Sequence, residues 1–238
     1  MKIKILTINV WRYHEWEKRK EKLINFLKNE KADVILFQEI ACYEKQNKNQ
    51  LEEINWKVKY PSFSFGKLME IKKDNELIEP QFYGFGILSK YPIKHSKVFT
   101  LPQVEKNKKF GFMHIVIETQ KEKLDLVNVH FENTDKGSKE HLKKTLEWCK
   151  KKEIKPIIAG DFNIKKVNEL KKFANDYEIS YFIKPYKSFP TNFLHDKTPL
   201  TLDYIIIHKQ KFKFKKIECA NVNISNHKPI VAEIEIIK

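Results

Sequence analysis

The chain has 238 residues, of which 41% are hydrophobic and 13% aromatic, enough for a substantial core and too many for a disordered chain. Its formal charge of +15, carried mostly by lysine, suits a polyanionic partner: nucleic acid, anionic lipid or a phosphorylated small molecule. Three scattered cysteines with no CxxC pair suggest neither a disulfide framework nor a zinc site, and no apolar stretch reaches the roughly 18 residues of a membrane span.

The first stretch, MKIKILTINVW, reads as a strand over Ile3–Ile8 rather than a signal peptide, so a cytoplasmic location is expected. Trp16–Lys31 has helical spacing, with Leu23, Ile24 and Leu27 as its apolar stripe. Val34–Phe37 is a buried strand ending in Gln38 and Glu39. A short helix is expected over Glu44–Ile54, an extended segment over Tyr60–Leu68 and a polar loop over Lys72–Pro80. Gly84–Leu88 is a strand, and its two glycines are too sparse to cradle a phosphate. No GxxxxGK occurs anywhere, which excludes a P-loop. Val98–Leu101 reads as a strand, and Phe110–Glu118 with Leu124–Val129 as an antiparallel hairpin ending in His130.

Lys139–Lys151 is helical through Leu142, Leu146 and Cys149. Then comes PIIAGDFNI at 156–164, where a buried apolar run delivers Asp161 and Asn163. If the strand continues past Gly160, alternation puts these two side chains on one face and Phe162 on the other. A helix is expected over Val167–Tyr177 and irregular chain over Ser180–Leu200. Strands follow at Leu202–Ile207, Lys216–Cys219 and Pro229–Ile237. No linker, composition shift or internal repeat divides the chain, so one α/β domain over 1–238 is expected.

One regularity runs through these elements. Asn9, Glu39, His130 and Asp161 with Asn163 each stand where a buried strand ends; Asp203 starts a strand, and His227 precedes the last one. Taken singly, each is an ordinary turn former, surface acid or edge histidine. Together, if the strand ends meet, they form a pocket of carboxylates, imidazoles and amides able to hold a hard ion, move a proton and bind an anion.

The segments TIN at 7–9, DVILFQE at 33–39, GFGILSKYPI at 84–93, VNVHFEN at 127–133, IIAGDFN at 157–163, LDYIII at 202–207 and SNHKPIVAEI at 225–234 resemble, in order, those of the endonuclease/exonuclease/phosphatase superfamily. The resemblance implies a four-layered sandwich, two mixed β-sheets face to face with helices outside. It also implies a Mg²⁺-dependent phosphoesterase, with Mn²⁺ as an alternative ion. Glu39 would hold the ion with Asn9 close by. Asp161 would orient or deprotonate the attacking water, and Asn163 would hold a phosphate oxygen. His227, paired with Asp203, would touch the phosphate, and His130 would contact it or assist the leaving group. Both Asp161 and His227 remain candidates for the base.

The last motif departs from the family's usual Ser-Asp-His: here it is Ser225-Asn226-His227, so Asn226 accepts a hydrogen bond without bringing a charge. Arg19, in WEKR, anchors the first helix or binds substrate. Phe189, in SFPTNF, stacks on a base or fills the core. Basic charge favours a nucleic acid substrate, cut by a nuclease or a DNA-end-processing phosphodiesterase acting in repair. Abasic-site enzymes usually carry Asn-Gly and a Thr-Lys after Gln-Glu, where this chain has Asn9-Val10-Trp11 and Gln38-Glu39-Ile40, so that branch is disfavoured. HFENT at 130–134 is a faint match to tyrosyl-DNA phosphodiesterases. An inositol-phosphate or phospholipid phosphoesterase is the alternative, and a catalytically weakened nucleic-acid-binding scaffold the third reading.

Overall fold

Alternation along the strands sets the layers. In β1 (Lys2–Asn9), Ile3 and Ile5 face a central core while Leu6 and Ile8 face a helix. In β2 (Val34–Tyr43), Val34 and Leu36 point inward and Ile35 and Phe37 outward. Strands buried on both faces are why these segments read as unbroken apolar runs rather than as alternating ones. The computed structural model describes residues 1–43, 48–71, 81–105, 108–190 and 199–237.

The first sheet joins β1 and β2 to β3 (Lys48–Asn49), β4 (Ser62–Ile71), β5 (Gln81–Ser89), β12 (Phe212–Cys219) and β13 (Ile230–Ile236), in the order β12-β13-β1-β2-β5-β4 with β3 alongside β2. The second joins β6 (Ile93–Leu101), β7 (Phe110–Glu118), β8 (Lys123–His130), β9 (Ile157–Asp161), β10 (Tyr177–Ile179) and β11 (Asp203–His208), in the order β10-β11-β9-β8-β7-β6. The sheets pack face to face through one apolar core. Helices α1 (Trp16–Glu30) and α2 (Gln50–Val58) cover the outside of the first sheet and α3 (Asp135–Lys151) that of the second, giving the expected four-layered sandwich.

Each sheet contains one parallel pair, β1 with β2 and β8 with β9, joined through α1 and α3. The units β12-β13-β1-α1-β2-β4-β5 and β6-β7-β8-α3-β9-β10-β11 have the same pairings in the same order. The architecture is therefore repeated, permuted in the chain, although the sequence shows no repeat. Across the two sheets the end of β1 meets that of β9, Asn9 against Asp161, and β2 meets the end of β8, Glu39 against His130, at one edge of the sandwich.

Several elements differ from the sequence expectations. Strand β2 does not stop at Phe37 but runs to Tyr43 through an irregularity between Phe37 and Ile40. The helix expected over Glu44–Ile54 is α2, which starts at Gln50 because the Asn49 side chain accepts from the Glu52 amide at 2.8 Å; residues 44–47 lie outside the described residues. The Lys72–Pro80 loop also lies outside them. Helix α3 starts earlier than expected because Thr134 caps it, accepting from Gly137 N at 3.1 Å. The segment after Lys166 forms a 3₁₀ helix over Val167–Phe173, and α4 (Ser180–Ile183) gives one turn to a region expected to be irregular.

Candidate active site

Strand register places three of the expected residues side by side. His130 pairs with Asp161 across β8 and β9, and Asp161 pairs with Asp203 across β9 and β11. From the facing sheet, Asn9 ends β1 and Glu39 sits on β2. Glu39 adopts a left-handed φ of 57° at the strand irregularity, which turns its side chain out of the regular alternation. His227 arrives from the segment before β13. Asn9, His130, Asp161, Asn163, Asp203 and His227 are all buried.

Asp161 is held by two donors. Asn9 Nδ2 donates to Oδ2 at 3.1 Å and the Asn163 backbone N–H to Oδ1 at 3.1 Å. The extended conformation expected through Asn163 does not occur: the strand ends at Asp161, and Asn163 takes a φ of 53°. A local turn of the Asx type, not alternation, brings the two residues together. The Asn163 amide gives one hydrogen to Phe131 O at 2.9 Å and keeps a second.

His227 donates through Nδ1 to Asp203 Oδ2 at 2.8 Å, and its Nε2 lies 3.8 Å from Asp161 Oδ2. Burial opposes the imidazolium, but Asp203, Asp161 and Glu39 outweigh it and raise the pKa of His227 to about 9. Burial pushes the Asp161 carboxyl above its ordinary value. Asp203 adds to the rise, and His227, His130 and the Asn9 hydrogen bond offset it in part. Burial would also raise Glu39, but His130, Arg12 and His227, with an Asn9 hydrogen bond, hold its carboxyl below the usual range.

His130 Nε2 lies 3.6 Å from Glu39 and 3.7 Å from Asp161, bridging the two sheets, while its buried Nδ1 has no partner among the described residues. Asn9 Oδ1, the atom a metal would use, instead accepts from Trp11 N at 2.9 Å. Its amide group donates to Asp161 Oδ2 at 3.1 Å, and its carbonyl keeps a second lone pair.

The three lower-weight candidates divide. Arg19 is buried. Its buried guanidinium donates to Val10 O at 3.1 Å, Ile224 O at 2.7 Å and His14 O at 2.8 Å, tying the loop after β1 to the loop that carries His227. Phe189 is buried with its ring edge-on to His227 at 4.8 Å, packed against the imidazole. Asn226 Oδ1 accepts from Ser225 Oγ at 3.1 Å, a use of its carbonyl that needs no charge.

A model of the Endonuclease/Exonuclease/phosphatase family matches residues 6–227. The chain belongs to that family. An endonuclease/exonuclease/phosphatase family protein from Leptotrichia buccalis C-1013-b is similar at 19% identity, with 98% of this chain and 99% of that chain covered and a TM-score of 0.77. D. rerio TDP2 complexed with single strand DNA product is 15% identical over 98% of this chain and 99% of its own, with a TM-score of 0.74. The human Nocturnin catalytic domain with bound sulfate anion is 14% identical over 99% of this chain and 95% of its own, with a TM-score of 0.75. At these identities the likeness shows the fold. No curated relative matches the sequence.

The endonuclease/exonuclease/phosphatase fold implies a divalent metal, and the donors here fit one. Glu39, Asp161 and Asp203 bring three carboxylates to one edge. Glu39 Oε2 lies 3.3 Å from Arg12 Nε and Oε1 3.6 Å from His130 Nε2, and a carboxylate has lone pairs to share between such neighbours and a hard ion. Asp161, Asp203 and His227 also form a group whose ligand atoms lie within 4.8 Å of one another, but both Asp203 oxygens already face His227 Nδ1, at 2.8 and 3.1 Å.

Sequence reading missed Arg12. It stands in a loop where Trp11 and Arg12 both have left-handed φ, 58° and 47°, and only the folded loop brings it to Glu39. Also missed were Gln38 and Asn128, which bridge the sheets directly behind Glu39 and His130: Gln38 Nε2 donates to Asn128 Oδ1 at 2.6 Å, and Asn128 Nδ2 to Phe37 O at 2.9 Å. A hollow of about 780 Å³ opens between the start of α3 and the segment after Asn163. Lys136, Lys139, Lys143, Lys166 and Lys172 line it, against Asp135 and Glu140.

Proposed function

We propose that the protein is a Mg²⁺- or Mn²⁺-dependent phosphodiesterase acting on nucleic acid, as a nuclease or DNA-end-processing enzyme. The observation that carries this reading is the row His130–Asp161–Asp203 completed by His227 and faced by Glu39. It brings a positioned base, a charged donor and an ion ligand to one point. The lysine-lined hollow at the start of α3 favours a substrate with several phosphates over a small monoester.

In this reading Glu39 would hold the ion, which when bound would supply charge neutralisation at the phosphoryl oxygens. Asp161, fixed by Asn9 and Asn163 and with its pKa raised by burial, takes a proton from the attacking water. His227, kept charged by Asp203, donates from Nε2 to a non-bridging phosphate oxygen. This pairing favours Asp161 over His227 as the base, because an imidazolium has no lone pair to offer. Asn163 offers its second amide hydrogen to the same phosphate, and His130 contacts it from the β8 side.

The test is a substrate panel with Mg²⁺, with Mn²⁺ and with chelator. It comprises single- and double-stranded DNA, RNA, a 5′-tyrosyl oligonucleotide, an inositol polyphosphate and a generic phosphodiester. Metal-dependent cleavage of an oligonucleotide supports the proposal, and the preferred end names the branch. Turnover of the inositol compound alone overturns it.

A further inference from the structure

Among the described residues, large hydrophobic side chains are left exposed at Trp56 (72%), Phe63 (46%) and Ile183 (55%). Burying such groups is strongly favoured, so two of them meeting in one place calls for a function. Trp56 and Phe63 line the same hollow of about 350 Å³, formed where α2 ends and β4 begins, together with Tyr60, Lys59, Asn55 and a single acid, Glu52. The Lys59 ammonium lies 3.8 Å over the Trp56 ring and leaves most of the indole to solvent. The hollow continues, through the shared Lys59 and Tyr60, into a second of about 230 Å³ rimmed by Lys28, Lys31 and Lys90. Of these lysines, Lys90 is held by Asp33 at 3.0 Å, and Lys28 and Lys31 have no acidic partner among the described residues.

This patch is remote from the catalytic edge. It sits by the ends of α1 and α2 and the start of β2, whereas Glu39 lies five residues further along that strand, about 17 Å away. A concave pair of aromatic faces among lysines that outnumber the acids, Lys28, Lys31, Lys59 and Lys90 against Glu52 and Asp33, matches alternating flat rings and phosphates. Bases stack on any exposed π-face, and lysines track the backbone between them. A bilayer interface is matched instead by protruding aromatics on a long amphipathic helix, and α2 has nine residues.

We propose that Trp56, Phe63 and Lys59, with Lys28 and Lys31, form a second, non-catalytic site for single-stranded nucleic acid, at the end of the sandwich opposite the catalytic edge. The choice of ligand rests on the nucleic-acid reading above. The site would raise affinity for long strands without touching the reacting phosphate.

The test is fluorescence anisotropy of a labelled 20-nucleotide single strand, in chelator so that nothing is cut, with the full chain and its variants Trp56→Ala, Phe63→Ala and Lys59→Glu. Each side chain is exposed, so unchanged circular dichroism is expected. Loss of one stacking partner should weaken binding about 5- to 100-fold, while metal-dependent turnover of a small phosphodiester stays at the wild-type level. Unchanged strand affinity in all three variants would overturn the proposal, even if oligonucleotide cleavage is intact. Loss of binding to phosphatidylserine vesicles, with strand affinity untouched, would overturn it in favour of a membrane. Strand binding that needs Trp56 in a protein that cleaves no oligonucleotide would uphold this site and defeat the nuclease reading.

Discussion

The Asp203 carboxylate receives the Nδ1 proton of His227 at 2.8 Å and so aims the opposite ring nitrogen at Asp161, 3.8 Å away. One pairing thus fixes the tautomer, the charge and the direction of the imidazole. Removing it should separate these roles. Asp203→Asn should slow phosphodiester hydrolysis by about two orders of magnitude. In the wild type, activity that needs the imidazolium falls as pH rises through about 9. In Asp203→Asn that falling limb should move to lower pH, because the main group favouring the charge is gone. A pH–rate profile reads both effects, and an unshifted limb would remove His227 from the donor role.

Arg12 and Glu39 make a second testable pair. The guanidinium stands 3.3 Å from the carboxylate that the mechanism gives to the ion, so the two cations repel. Arg12→Gln should tighten Mg²⁺ binding about fivefold or more, whereas Glu39→Gln should abolish it. Isothermal titration calorimetry without substrate measures both. Weaker binding in Arg12→Gln would mean that the arginine helps to build the ion's site.

The inter-sheet bridge is a stability element. Asn128→Ala leaves Gln38 buried with fewer partners and should cost about 2–3 kcal/mol, read from urea denaturation. Gln38→Ala on top of it should cost less than it does alone, since the two share one hydrogen bond.

His141 gives a pH signature away from the catalytic edge. Its Nδ1 accepts from Glu132 N at 3.2 Å and its Nε2 donates to Pro102 O at 2.8 Å, so the fold uses the neutral ring. Burial, the largest influence, pushes its pKa below the ordinary 6.5. The unfolded chain then takes up a proton near pH 6.5 and the folded one does not. Stability is complete above that pH and is lost as pH falls towards the folded pKa. Thermal unfolding between pH 8 and pH 5 should show a smaller drop for His141→Gln than for the wild type.

Much of the site was legible because most of it is built from strand ends, Asn9, His130 and Asp161; Glu39 is the exception, turned out by an irregularity inside β2. Buried strands announce themselves as apolar runs, and a run that stops on Glu39, His130 or Asp161 places that residue at an edge without knowledge of the fold. The ordered motifs then implied which edges meet, and the two sheets have that arrangement. Other features depend on contacts distant in sequence. Arg12 reaches Glu39 through a loop of left-handed residues, and Phe189 meets His227 across 38 positions of chain. The neighbourhood of Asp161 and Asn163 was foreseen for the wrong reason: a turn made it, not continued extension. The repeated sheet topology was invisible because pairing order leaves no residue pattern that single-sequence periodicity detects.

The most direct test of the central claim is the hydrolysis rate of a single-stranded oligonucleotide in Mg²⁺, compared between the wild type and Asp161→Asn. The substitution keeps the shape at the meeting point of Asn9, Asn163 and His227 but removes the proposed base. A metal-dependent wild-type rate, lowered about a hundredfold or more in the variant with folding intact, is the result predicted. Equal rates in the two proteins would contradict the account.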